Sequence, residues 1–201
     1  MLTSGQLPFI ESGRYMISLA EGGDSGYNVG VDYGALIRDS PYYAQIKALY
    51  KAAGLNLQAD IETLDRHETY TPEGNSLPRT QATSVNTGRL QAPELDVHTV
   101  SDQLAPVQFE GTYAQRVALA GSSALLRQVY VNAVGHCNFT DADYVAAIDA
   151  MNKVVDEQHW TRAVSVTGLN QAANALSAAL GGGDFTAYQP TPLDVQNGLD
   201  R

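Results

Sequence analysis

The sequence is short of cysteine, of positive charge and of long apolar runs, and each shortage excludes something. A single cysteine, Cys137, means that no disulfide closes within the chain, although a cysteine in another segment could pair with it. Twelve Lys and Arg stand against 22 Asp and Glu, for a net charge of -10, so neither nucleic acid nor an anionic membrane surface is expected as the main partner. No run approaches the ~18 consecutive apolar residues of a membrane span. Met1 to Glu11 have neither a basic start nor a long apolar stretch, so a soluble chain with no export signal of its own is expected, and localisation stays undetermined. No two of the four histidines, His67, His98, His136 and His159, stand close enough in the chain to share a helical metal site. No glycine-rich loop leads into a lysine to cradle phosphate. No metal or other cofactor is therefore implied.

What is present is a chain of 201 residues and 44% hydrophobic content, enough for one domain with a real core, or one plus an appendage. Leu7 to Ala20 is an apolar-mixed stretch that periodicity assigns to neither strand nor helix. Gly22 to Gly26 is a loop by glycine density. Ser40 as N-cap, Pro41 at the first helical position and Ile46, Leu49 and Tyr50 at helical spacing predict a helix with a buried stripe, stopped by Gly54. Asn56 caps a second helix from about Leu57 to Leu64. The two make a helical hairpin of the kind used as a lid. From His67 to Gly88 the chain is rich in Thr, Pro, Ser, Asn and Gly and has no sustained period, which reads as a long loop.

The best candidate chemistry lies between His98 and Asp143. An apolar strand, Leu95 to Val100, runs into a loop bearing Asp102, and a second, Leu126 to Val131, runs into a loop bearing Gly135 and His136. Between them Pro106, Val107, Tyr113, Val117 and Leu119 predict a helix with one buried face, so the unit is strand, crossover helix, parallel strand. Both candidate side chains follow strand C-termini, where open α/β sheets place their active-site residues. After them Thr140 and Asp143 form a capping-box signature ahead of Val145, Ile148, Met151 and Val155, spaced for one face. A final helix is expected from Gly168 to Leu180, capped by Thr167 and ended by three glycines, and the tail from Asp184 reads as an extended strap.

An acid and a histidine at neighbouring strand ends suit acyl transfer. A serine hydroxyl is a poor nucleophile until an imidazole takes its proton, and a carboxylate holds and orients the imidazolium that forms. The wording HTVSDQLAPV, then Tyr113, then LLRQVYVNAVGHCNFTDAD resembles a bacterial subfamily of the α/β-hydrolases, in which a Gly usually stands where this chain has Ser101. The likeness extends to GYNVGVDYGALI (Gly26 to Ile37) and LYKAAGLNL (Leu49 to Leu57). It implies Asp102 as triad acid and His136 as base, in the acid-then-histidine order of that fold. It also implies a fold class, α/β, with this chain as the C-terminal part of the hydrolase sheet plus a helical lid.

The nucleophile elbow of that fold, G-x-S-x-G at a sharp strand-to-helix turn, does not occur. Ser25 comes nearest, but Tyr27 occupies the last glycine position and no apolar strand precedes it. The expected organisation is therefore a lid or cap segment over residues 1–88, the hydrolase strand-helix-strand-helix over 89–165, and a terminal helix and tail over 166–201. The expected partners are a nucleophile-bearing N-terminal hydrolase segment and a small-molecule ester. The same triad on amides or peptides, and a non-catalytic truncated product or binding subunit, are the alternatives. His98 alternates against Leu95 and Val97 and is expected to support the site without acting in it. His67 reads as solvated after a helix end. Cys137 reads as a small apolar side chain.

Overall fold

The structure is a computed structural model and describes residues 6–40 and 42–190, with side chains from Glu11 onward. Pro41 and the end of the tail lie outside the described residues. The chain divides into two compact units, the first reaching Val85 and the second beginning at Asn86. Together they make a mixed α/β chain with, among the described residues, eight α-helices and one three-stranded sheet.

The first unit is helical: α1 (Gln6–Glu21), α2 (Tyr33–Asp39), α3 (Tyr43–Ala52), α4 (Leu57–Asp65) and α5 (Ser76–Thr83). The segment that periodicity left open is thus a helix. Asp32 starts α2 by accepting the Ala35 N–H, while Ser40 closes α2 and does not cap α3. Gly54, at φ +66°, takes the left-handed position that stops α3, and Asn56 caps α4 through the Ala59 N–H, as expected of both. The long loop is interrupted by α5. The buried stripe expected on α3 is absent, with Leu49 62% exposed, and Ile61 of α4 is the large apolar side chain this unit buries. A polar knot compensates. The Asp24 carboxylate pairs with Arg14, accepts from the Tyr70 hydroxyl (2.7 Å) and the Gly26 N–H (2.8 Å), and its carbonyl accepts from buried Ser76 Oγ (2.8 Å). Those donors, Tyr70 first and then Arg14 and Gly26, hold the Asp24 carboxyl down at about 2.

The second unit is the sheet. β1 (Glu94–Ser101) and β2 (Leu126–Val134) pair in parallel through α6 (Gln108–Leu119), as the strand-helix-strand pattern predicts. α7 (Asp141–Glu157) and α8 (Val166–Asn174) follow, and a two-residue β3 (Phe185–Thr186) pairs antiparallel with β2 inside the segment expected to be a strap. The α8 cap is Ser165, which accepts the Gly168 N–H, in place of Thr167, and α8 ends at Asn174.

Alternation along the strands divides the sheet into two unlike faces. Val129 and Val131 of β2, flanked by Leu95 and Val97 of β1, pack with Ala142, Ala146, Ala150 and Val154 of α7, with Leu169 and Ala173 of α8, and with Phe185. Glu94 and Asp96 of β1 and Gln128 of β2 meet α6 instead, through Tyr113 and Glu110. The face of α7 that meets the core is mostly alanine, with Val154 and the partly buried Met151, and of the other larger residues picked out by spacing Ile148 (59% exposed) and Val155 (63%) lie away from it. Small side chains let a helix approach a sheet closely, and hydrophobic spacing weights the largest residues, so the wrong face was the more conspicuous. Leu119, at the last turn of α6, is exposed too.

Candidate active site

The C-terminal ends of β1 and β2 lie side by side because the strands are parallel and paired from Glu94↔Leu126 to Ser101↔Val134. β2 carries one residue more than β1 between the Thr99↔Val131 and Ser101↔Val134 pairs, a bulge that ends the regular ladder. Asp102 is the first residue beyond β1. His136 is the second beyond β2.

The structure brings these two side chains together: His136 Nδ1 lies 2.7 Å from Asp102 Oδ2. The other carboxylate oxygen, Oδ1, accepts the N–H groups of Leu104 (2.7 Å) and Ala105 (2.9 Å), which turns the 102–107 loop toward α6 and fixes the carboxylate in place. The Asp102 side chain is 3% exposed and that of His136 41%. Burial works to raise the Asp102 carboxyl, but the Ala105 N–H, the His136 ring and the Leu104 N–H outweigh it and hold the group below the usual carboxylate value. An ionised carboxylate only accepts, so Nδ1 carries a proton toward it, and in an imidazole of that tautomer Nε2 is the acceptor. Among the described residues Nε2 makes no hydrogen bond. The pair can therefore take a proton from a hydroxyl brought to that nitrogen.

The His136 turn is tightly specified. Gly135 has φ +118°, Cys137 is left-handed at φ +52°, the Phe139 N–H closes on the Cys137 carbonyl at 2.9 Å, and the Asn138 amide reaches back to the Val134 carbonyl at 3.0 Å. Beyond it the expected capping box is present in full: Thr140 accepts the Asp143 N–H at 3.0 Å and Asp143 accepts the Thr140 N–H at 3.1 Å. Cys137 is exposed, where the sequence suggested a small buried side chain. The amide donors at Leu104 and Ala105 and the buried hydroxyl of Thr99 are site features that spacing did not single out.

The remaining histidines lie elsewhere. His98, half-buried on β1, directs Nδ1 to the Thr99 carbonyl at 2.8 Å, His67 sits over the end of α4 on the Thr63 carbonyl, and His159 follows α7 beside Glu157. Ser25 stands in the irregular segment between α1 and α2, with no strand before it among the described residues. Among the described residues no three His, Cys, Asp or Glu side chains gather closely enough to hold a metal ion. Nor is any described helix long and apolar enough to cross a membrane.

Comparison with known proteins gives a hydrolase-like relative. Over 191 residues the chain is 29% identical to an o-phthalyl amidase of Xanthobacter agilis, a match covering 86% of this chain. The chain spans 40% of the length of that relative. No protein-family model matches the sequence, and no solved structure matches it.

Proposed function

We propose that this chain is the acid-and-base part of a serine hydrolase of the α/β-hydrolase type, with the first helical unit as its lid. Asp102 orients His136 through Nδ1, and Nε2 takes the proton of a serine carried on a separate, nucleophile-bearing hydrolase segment. The serine attacks a carboxylic carbonyl, the imidazolium returns its proton to the leaving group, and water repeats the sequence to release the acid. The observation that carries this reading is the 2.7 Å carboxylate-imidazole contact between the ends of two adjacent parallel strands, with Nε2 unengaged.

The bond cleaved is an amide in this reading, ahead of the ester that the sequence alone favoured, because the relative is named an amidase. A chain that spans 40% of that relative also fits a partner segment supplying the nucleophile. On its own the chain is expected to leave amides and esters intact. The test is serine-reactive phosphonate labelling of the purified chain, alone and with the completing segment. Labelling only in the complex, on the added segment, is expected, and stoichiometric labelling of Ser25, Ser101, Ser122 or Ser123 in the isolated chain would overturn the assignment.

A further inference from the structure

We propose that Thr99 is a positioning residue for His136, acting through the carbonyl that immediately precedes it. This rests on the reading of His136 as the base. Thr99 lies on β1, not on the loop it serves, and is 1% exposed. Its Oγ1 donates to the Gly135 carbonyl at 2.6 Å, at the short end of the hydroxyl range. From two residues further along the same strand, the Ser101 carbonyl accepts the Gly135 N–H at 3.0 Å. The peptide groups on both sides of the Gly135 Cα are thus anchored to β1, one by backbone and one by a side chain.

That side chain takes over where the ladder fails. The register shifts by one residue in β2 and resumes at the Ser101↔Val134 pair, where β1 ends, so among the described residues no further backbone N–H of β1 meets the Gly135 carbonyl. Gly135 sits at φ +118°, a conformation with little intrinsic restraint in glycine. The Gly135 carbonyl belongs to the same rigid plane as the His136 N–H, so holding that oxygen sets the plane from which the His136 Cα and ring project. A threonine suits the task, since β-branching and burial leave its hydroxyl one direction to point. The hydroxyl therefore sets the angle at which Nδ1 meets Asp102, without touching either residue.

The experiment replaces the hydroxyl and leaves the shape. Thr99→Val is nearly isosteric and lacks the donor, and Thr99→Ser keeps it. The readout is the ring Nδ1–H of His136, which a carboxylate partner shifts far downfield and shields from water exchange. It is recorded on the full chain with histidine-selective 15N labelling, and Asp102→Ala assigns the signal by removing its acceptor. The wild type and Thr99→Ser are expected to show the downfield proton. In Thr99→Val it is expected to vanish or exchange at least about tenfold faster, with the circular dichroism unchanged. An unaltered signal in Thr99→Val overturns the proposal. Collapse of the fold in Thr99→Val overturns it as well, because the hydroxyl would then be holding the sheet and not the loop. Failure of the base reading is a separate result, seen as full turnover by a His136→Ala enzyme whatever the signal does.

Discussion

Two pairs of side chains in the second unit test different properties. In whatever complete enzyme contains this chain, His136→Ala removes the proposed base, and Asp102→Asn leaves the ring in place but in the wrong tautomer. Each is expected to lower kcat by roughly 10³ to 10⁵, with KM little changed, by analogy with other triads. Because the two act as one unit, the double variant should be scarcely worse than His136→Ala alone. His98→Gln is the control, with under about a tenfold loss, since its ring is engaged with the Thr99 carbonyl and not with the pair. Equal damage from His98→Gln and none from Asp102→Asn would show that the acid and base lie on other loops. The second pair, Asp96 and Glu110 bridged by the Gln128 amide, governs stability. Gln128 Nε2 donates to both Glu110 (2.7 Å) and Asp96 (3.3 Å), with Glu94 and Tyr113 beside them, Tyr130 on β2, and no cation bonded to any of them among the described residues. Burial, then the charges of Glu110 and Glu94, push Asp96 up to about 8. The folded state therefore keeps a proton that the unfolded chain releases above about 4, so stability falls as pH rises from about 4 to about 8 and then levels. Asp96→Asn should flatten the dependence of Tm on pH across that window and raise Tm at pH 8. An unchanged slope in the variant would place the titration elsewhere.

At the scale of elements, what the sequence revealed was what local chemistry dictates. The capping box of α7, the Asn56 cap of α4, the glycine stop of α3 and the β1-α6-β2 unit each depend on residues close together in the chain. The meeting of Asp102 and His136 was legible for the same reason, because both follow apolar strands. The misreadings share a cause in contacts made at a distance. Ser40 looked like a start and is an end, because Asp32 had already opened α2. The core face of α7 is mostly alanine because β2, α8 and Phe185 come close, which no spacing rule reveals. β3 is two residues long and is held by α8 on the side away from β2: Asn170 accepts the Phe185 N–H at 3.0 Å and donates to its carbonyl at 2.8 Å, as a neighbouring strand would. Asn170→Ala should therefore cost about 2 kcal/mol and loosen β3, by stranding both groups of a buried residue. Hydrogen exchange at Asn132, whose N–H donates to the Asp184 carbonyl at 2.8 Å, is the measure. It should speed up in Asn170→Ala and not in Gln171→Ala, an exposed position one residue on. Equal protection in both variants would mean that Phe185 seats β3 unaided.

The whole molecule leaves apolar surface uncovered in both units, and this sets the behaviour expected of the isolated chain. β1 ends the sheet among the described residues, so one edge of a parallel strand is unpaired. Beside it Leu95, Val97, Phe139, Tyr144, Ile148 and Met151 line an open apolar cavity of about 320 Å³. In the first unit Tyr15, Met16, Ile17 and Leu19 of α1 and Leu49 of α3 are each more than half exposed. Parallel sheets are stable when both faces and both edges are covered, and two paired strands with a two-residue third fall short of that. Against association stands the net charge of -10, whose self-repulsion acts over about 30 Å at 0.01 M salt and about 3 Å at 1 M. The two effects respond oppositely to salt. The purified chain is therefore expected to be nearest monomeric in dilute buffer and to self-associate as salt is raised toward 1 M, with the proposed nucleophile-bearing segment expected to suppress the association by covering the same surface. Light scattering across a salt series, with and without that segment, measures this. A monodisperse monomer at high salt with a sharp, reversible thermal transition would show that the chain needs no covering partner.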